Sequence, residues 1–375
     1  MRIEFGELRI GETAKKHLFD VINTNWASAG PKVTLFEKSW GELFDYTYNI
    51  SMSSGTDADI NVLMALYDYG AQRGDEIIVP ALAFAAVGNA VLAAGFKPVF
   101  IDIERHTLNI NPFQIEDKIS PKTRAIFTVH TMGKPCKMDV ISNIAKKHKL
   151  MLFEDSCEAH GAKFKGKFVG HWSDAATFSY YAAHLICCGE GGMVSSNDEN
   201  FSKIVRSTKS HGRKDGSIYF DHVRTGLNSK MNDLEASLGL EGVNEFWDTY
   251  NTRKENLNYL LKKVSDLKHF AFFNLEEETD CVAPHACSIV LKDSKYNLKR
   301  LYDMLEKNSV KCKRNFGSMP TQHKAFAFLG HSIGEFPESE YVGDNGLHFG
   351  IHQYLSREDL DYVSDLLHEY FSDFA

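Results

Sequence analysis

Ser179, His184 and the glycine-rich turn Gly189-Glu190-Gly191-Gly192 follow one another in a single stretch of this 375-residue chain. Imidazole takes up and releases protons near neutral pH, so His184 is a candidate acid/base group. One histidine of 16 says little by itself, and its setting is what singles it out. Two further stretches suit a charged, flat ligand. Ser53-Ser54-Gly55-Thr56 opens a helical pattern, where a glycine admits close backbone approach and the first N–H groups of the helix point at an anion. A plain capping turn has the same sequence. Glu154-Asp155-Ser156-Cys157-Glu158 follows an apolar run, and a carboxylate there can pair with a protonated ring nitrogen or simply cap the next helix.

These residues need a frame. Between Ser53 and Ser196 short apolar runs alternate with helical periodicity, as expected of parallel strands joined by crossover helices. The expected strands are 76–79, 98–101, 125–129, 150–153 and 192–195, and open α/β sheets bind ligands beyond the carboxyl ends of such strands. Ile60, Leu63, Met64 and Tyr67 share one face of a helix that starts after Gly55 and stops at Gly70. Leu360, Val363, Leu367 and Phe371 mark a closing amphipathic helix, with Ser356 and Asp359 as its capping box. The reading is an α/β protein: a large domain over 1–244 with a mainly parallel sheet flanked by helices, and a smaller C-terminal α+β domain over 245–375, divided after a helix at 231–242.

Composition narrows the function classes. With 43% hydrophobic and 25% charged residues the chain reads as globular. A net charge of -8 without a basic stripe argues against nucleic acid. The acidic start Met1-Arg2-Ile3-Glu4 does not read as an export signal, and no apolar run is long enough to span a bilayer, so a cytoplasmic location and no membrane partner are expected. Seven cysteines without a C-x-x-C pair suit a reducing compartment. Cys281, His285 and Cys287 lack a fourth ligand and the usual spacing, so they read as ordinary strand or loop residues and no metal is expected.

The stretch from Thr177 to Met193, with Trp26-Ala27-Ser28-Ala29-Gly30-Pro31, Gly74-Asp75-Glu76-Ile77-Ile78-Val79-Pro80, His130-Thr131-Met132-Gly133-Lys134-Pro135 and Leu227-Asn228-Ser229-Lys230-Met231-Asn232, resembles the DegT/DnrJ/EryC1/StrS family of sugar aminotransferases over nearly the whole chain. The resemblance implies fold type I of the enzymes dependent on pyridoxal 5'-phosphate (PLP), and a homodimer with the cofactor between the large sheet and the partner subunit. Gly55 and Thr56 then match the phosphate cradle, joined by the Ser179 hydroxyl, and Asn228 matches the residue that reaches the phosphate from the neighbouring subunit. Phe84 matches the aromatic that stacks on the pyridine ring, although a core aromatic beside a strand would read alike. Asp155 matches the partner of the ring nitrogen.

Two positions depart from the family's aminotransferases. His184 stands where a lysine usually tethers the cofactor, and Glu158 where a glutamine usually faces the ring's 3-oxygen. Both exchanges resemble the GDP-4-keto-6-deoxymannose 3-dehydratase branch. An imidazole cannot tether the cofactor but can move protons, so the resemblance implies a free pyridoxamine 5'-phosphate (PMP), a nucleotide-linked 4-keto-6-deoxy sugar as substrate, loss of its C3 hydroxyl, and glutamate as amino donor. A single imidazole near its ordinary pKa is expected to take the proton and return it to the departing oxygen. Arg314 matches a segment of the smaller domain and is a candidate for the substrate or donor carboxylate, or else part of a surface ion pair. The cysteine spacing does not reproduce that of the family's iron–sulfur relatives. The alternatives are a sugar aminotransferase with an unusual proton-transfer residue, separated by its product, and a non-catalytic relative. Retention of Asp155, Ser179 and Phe84 beside His184 speaks against the latter.

Overall fold

Runs rich in β-branched and aromatic residues assemble into a seven-stranded sheet in the computed structural model, which describes residues 3–214, 218 and 220–374. Met1 and Arg2 of the acidic start lie outside the described residues. The strands are β1 (Tyr48–Met52), β2 (Glu76–Pro80), β3 (Lys97–Ile101), β4 (Thr123–Val129), β5 (Met151–Asp155), β6 (Ala175–Ser179) and β7 (Gly192–Ser196), in the spatial order β1-β7-β6-β5-β4-β2-β3. β2 to β6 run parallel. Helices cover both faces, which is why these strands are apolar almost throughout rather than alternating.

β7 breaks the expected parallel pattern, lying antiparallel to both β6 and β1. The reason is the connection. Residues 180–191 form a loop with no crossover helix, and a strand cannot return parallel without one. Ser179 at the end of β6 therefore faces Gly192 at the start of β7. The loop that carries His184 leaves and re-enters the sheet at its carboxyl edge.

The helix Gly55–Ala65 starts where the sequence places it, with the Ser54 side chain accepting the Asp57 N–H at 3.0 Å. A 3-10 turn over Leu66–Tyr69 ends at Gly70 with φ 87°, a left-handed stop suited to glycine. The helix expected at 231–242 spans Asp233–Asn244, because Asn232 and Glu235 form a capping box that fixes its start. Glu245 closes it and opens the helix Phe246–Lys263.

A second sheet holds β8 (Ala271–Phe273), β9 (Ala286–Leu291), β10 (Cys312–Arg314) and β11 (Gly346–Gly350) in the antiparallel order β8-β9-β11-β10. It has its own core, built with Leu257, Leu260, Ile289, Leu301 and the buried Leu360, Val363, Leu367 and Phe371 of the helix Arg357–Ser372. Ser356 and Asp359 cap that helix reciprocally, as read from the sequence. The amino terminus joins this second core: Ile3 bridges to Val310, donating to Ser309 O and accepting from the Lys311 N–H, both at 2.9 Å. No helix among the described residues is long and apolar enough to cross a membrane.

Candidate active site

The cradle is set by close packing. The N–H groups of Gly55 and Thr56, first in their helix, have no acceptor among the described residues. A Cβ on Gly55 would lie 2.7 Å from Ser179 Cβ and 3.0 Å from Cys157 Sγ, and one on Gly192 would lie 2.2 Å from Ser54 O. Glycine is forced at both places, and it brings Ser179 against the helix start. Ser53 N–H donates to Ser229 O at 2.9 Å, which docks the segment carrying Asn228 on the same rim. Asn228 itself is exposed and bridges to Ser210; among the described residues no hydrogen bond ties its side chain to the cradle.

Asp155 ends β5 and accepts the Cys157 N–H at 3.0 Å. Behind it, on the helix Gly55–Ala65, Asp59 accepts the Thr177 hydroxyl at 2.6 Å and leaves its second oxygen buried without a partner among the described residues. The acceptor atoms of Asp59, Asp155 and Cys157 lie within 4.8 Å of one another. Burial pushes both carboxyls up, and the charge of Asp155 pushes Asp59 further. A protonated ring nitrogen at Asp155 would relieve that crowding of negative charge, so this corner fits a PLP-type ring, and the open N–H groups at Gly55 and Thr56 fit its phosphate. Phe84 follows β2 at the same edge of the sheet. At 65% exposed it is no core aromatic, and its ring meets Phe316 edge-on at 6.0 Å.

His184 is held from behind. The buried Arg253 guanidinium, from the helix Phe246–Lys263, donates to Ala183 O (3.2 Å), His184 O (3.4 Å) and Gln353 Oε1 (2.8 Å). His184 Nδ1 is buried and has no hydrogen-bond partner among the described residues. Its ring sits 5.7 Å from His160 and 5.2 Å from His285, centroid to centroid. Burial first, then the positive charges of Arg253 and Lys313, push its pKa down to about 3. The sequence reading of an imidazole near its ordinary pKa is corrected here: in the cofactor-free fold His184 is a neutral base. His160 lies against Trp40, Tyr180 and Phe178, with neither ring nitrogen bonded among the described residues, and burial and His184 push it down as well.

Glu158 accepts the Met132 N–H at 2.6 Å, and His285 Nε2 stands 3.5 Å from its other oxygen. Burial, with the charge of Asp155, lifts its carboxyl to about 7 against the pull of the Met132 N–H and Lys313. The turn that supplies this N–H is pressed on the second sheet's approach: a Cβ on Gly133, at φ 78°, would lie 2.3 Å from Ala283 O.

Arg314 is placed elsewhere. It is exposed and donates to Gly343 O and, at 3.5 Å, to Asp344, the ion-pair alternative. Its neighbour Lys313, over the Phe5 ring at 4.4 Å, is the cation whose charge reaches His184 and Glu158. Sequence reasoning missed Lys313, His285, Arg253 and Asp59. In the sequence His285 reads, with Cys281 and Cys287, as an ordinary strand or loop residue, and in the fold Cys281 turns to the Tyr250 hydroxyl at 3.2 Å.

The pattern of the DegT/DnrJ/EryC1/StrS aminotransferase family matches residues 8–368. The chain belongs to that family. GDP-perosamine synthase of Escherichia coli O157:H7 is 29% identical, with 96% of each chain covered. GDP-4-keto-6-deoxy-D-mannose 3-dehydratase of Escherichia coli O55:H7 is 27% identical over 94% of this chain and 96% of its own. Among solved structures, a GDP-4-keto-6-deoxymannose-3-dehydratase with a trapped PLP–glutamate geminal diamine superposes with a TM-score of 0.89, 24% identity, and coverage of 97% of this chain and 100% of that one. The architecture of this DegT-family member is fold type I of the PLP-dependent transferases.

Proposed function

We propose that the protein is a PMP-dependent 3-dehydratase that removes the C3 hydroxyl of a nucleotide-linked 4-keto-6-deoxy sugar, with glutamate as amino donor. The observation that carries this reading is the half-buried imidazole of His184, whose Nδ1 has no partner among the described residues, in the loop between Ser179 and Gly192. When bound, the cofactor supplies an amine for the sugar's keto carbon and a ring that accepts electrons. Gly55, Thr56 and Ser179 hold its phosphate, with Asn228 reaching across from the partner subunit of a homodimer. Asp155 holds the ring nitrogen, Phe84 covers the ring face, and Glu158 faces the ring oxygen. His184, neutral at rest, takes one proton. The burial that weakens it as a base makes its imidazolium a strong acid, suited to protonating a departing hydroxyl. Residues 1–244 supply the cradle, and 245–375 close the far side of the histidine.

Incubation with PMP, glutamate and a panel of 4-keto-6-deoxy nucleotide sugars tests the reading. A deoxygenated keto sugar with free ammonia is expected, and an amino sugar with its C3 oxygen intact would overturn it. That second outcome belongs to an aminotransferase. It is favoured by the likeness to GDP-perosamine synthase and by the amine of Lys313, whose charge acts on both His184 and Glu158.

A further inference from the structure

His285 stands between the two acid/base groups of the site. Its Nε2 lies 3.5 Å from Glu158 Oε1, and its ring lies 5.2 Å from that of His184 with the planes tilted by 31°. It is 4% exposed, and its Nδ1 is buried without a hydrogen-bond partner among the described residues. The backbone fixes it there. Its N–H donates to Ala283 O at 2.8 Å, the Ala283 N–H donates to Gly133 O at 2.9 Å, and the Phe5 ring closes on it at 6.2 Å.

An imidazole with a carboxylate at one nitrogen keeps its hydrogen on that side. With Glu158 ionised above about pH 7, His285 is favoured with its hydrogen on Nε2, the atom 3.5 Å from Glu158 Oε1, which leaves a lone pair on Nδ1. Buried polar atoms are costly to leave unpaired. His184 Nδ1 is equally unpaired among the described residues; the two atoms are not bonded directly, and one water between them would satisfy both. The groups whose charges reach the two imidazoles are His160, His348, Arg253 and Lys313, neutral or positive, and the carboxyl beside them is Glu158, 3.5 Å from His285 Nε2.

We propose that His285 is a positioning residue for His184: facing Glu158 through Nε2, it accepts the hydrogen of His184 Nδ1 through one water, and leaves His184 Nε2 as the proton-accepting atom. This rests on His184 being the proton carrier of the proposed reaction. It assigns His285 the task of the third group in a nucleophile–base–orienter array, where a wrong tautomer costs up to ~10^4 in rate.

The test uses His285→Phe, which keeps a ring of similar size, and His285→Gln, which keeps a polar group should the first variant not fold. Nitrogen NMR of the cofactor-free protein labelled in its histidines reads the tautomer directly, with the His184 signals identified by their loss in His184→Asn. The wild type is expected to carry the His184 hydrogen on Nδ1, and the His285 variants to move it toward Nε2. An unchanged His184 tautomer in a folded His285 variant would overturn the proposal. In turnover, His285→Phe is expected to lower kcat roughly 10- to 1,000-fold, within the tautomer bound, with KM little changed and the pH profile shifted. The NMR arm needs neither cofactor nor sugar. A wild type that makes an amino sugar would sink the dehydratase reading and leave the tautomer result standing.

Discussion

Replacing His184 by asparagine separates its buried, neutral state from every other histidine in the chain. In the unfolded chain an imidazole takes a proton below about pH 6.5, while the folded His184 refuses one until about pH 3. Folding is therefore penalised progressively as pH falls from 6.5 toward 3, and the penalty is absent above 6.5. At pH 5.0 the gap of one and a half pH units is worth about 2 kcal/mol, at ~1.4 kcal/mol per unit. Asparagine cannot take the proton. Urea unfolding of the cofactor-free protein at pH 7.5 and 5.0 should show the wild type losing about 2 kcal/mol more than His184→Asn across that interval. His160, His285 and His348 are pushed down in both proteins and largely cancel. Parallel pH dependences would refute the argument, because they would mean that the His184 ring is either solvated or protonated in the fold. The same variant should bind PMP and fail to deoxygenate sugar, and wild-type turnover in it would remove His184 from the chemistry.

Glu158→Gln should act with the opposite sign. The folded carboxyl keeps its proton up to about pH 7 while the unfolded one releases it above 4.5, so the wild type loses up to roughly 3 kcal/mol as pH rises through that window, and the glutamine variant, by urea unfolding at pH 5 and 8, should not. Gly192→Ala forces a methyl to 2.2 Å from Ser54 O, which should cost about 1–3 kcal/mol of stability and weaken PMP binding about tenfold by calorimetry. Gly70→Ala, at φ 87° with nothing within 4 Å, should cost about 1–2 kcal/mol and leave PMP affinity unchanged. Borohydride treatment of the PLP-loaded protein should leave no cofactor mass on the polypeptide. An adduct mapped to Lys313 would favour the aminotransferase reading.

The strands at β2, β3, β4, β5 and β7 could be read from their apolar runs, and Gly70, Ser356 and Asp359 from turn and cap chemistry. Sequence could not show the direction of β7. Gly192-Met193-Val194 reads the same up or down, and only the absence of a helix between residues 180 and 191 decides it. β1 and β6 escaped notice because Tyr48-Asn49-Ile50-Ser51 and Ala175-Ala176-Thr177 mix small and polar residues, a composition tolerated here by close helix packing and by bonds such as Thr177 to Asp59. The cofactor corner is built from short segments that each carry a recognisable signal. The proton-handling side is not, since His285 and Lys313 arrive from the second sheet and their proximity to His184 is purely tertiary. Arg314 against Lys313 shows the limit of such reading: of two adjacent cations on one short strand, one pairs with Asp344 and the other's charge reaches His184, and the sequence does not say which.

The bridge from Ile3 to Val310 spans nearly the whole length of the polypeptide, and Phe5, two residues on, lies against His285 and His348. Closing so long a loop is entropically slow, so the amino-terminal segment is expected to dock late, after the second sheet exists to receive it. Until then the ring of His285 has no lid on that side. Deuterium uptake at the Lys311 amide would therefore clock the moment when the catalytic chamber becomes sealed from water.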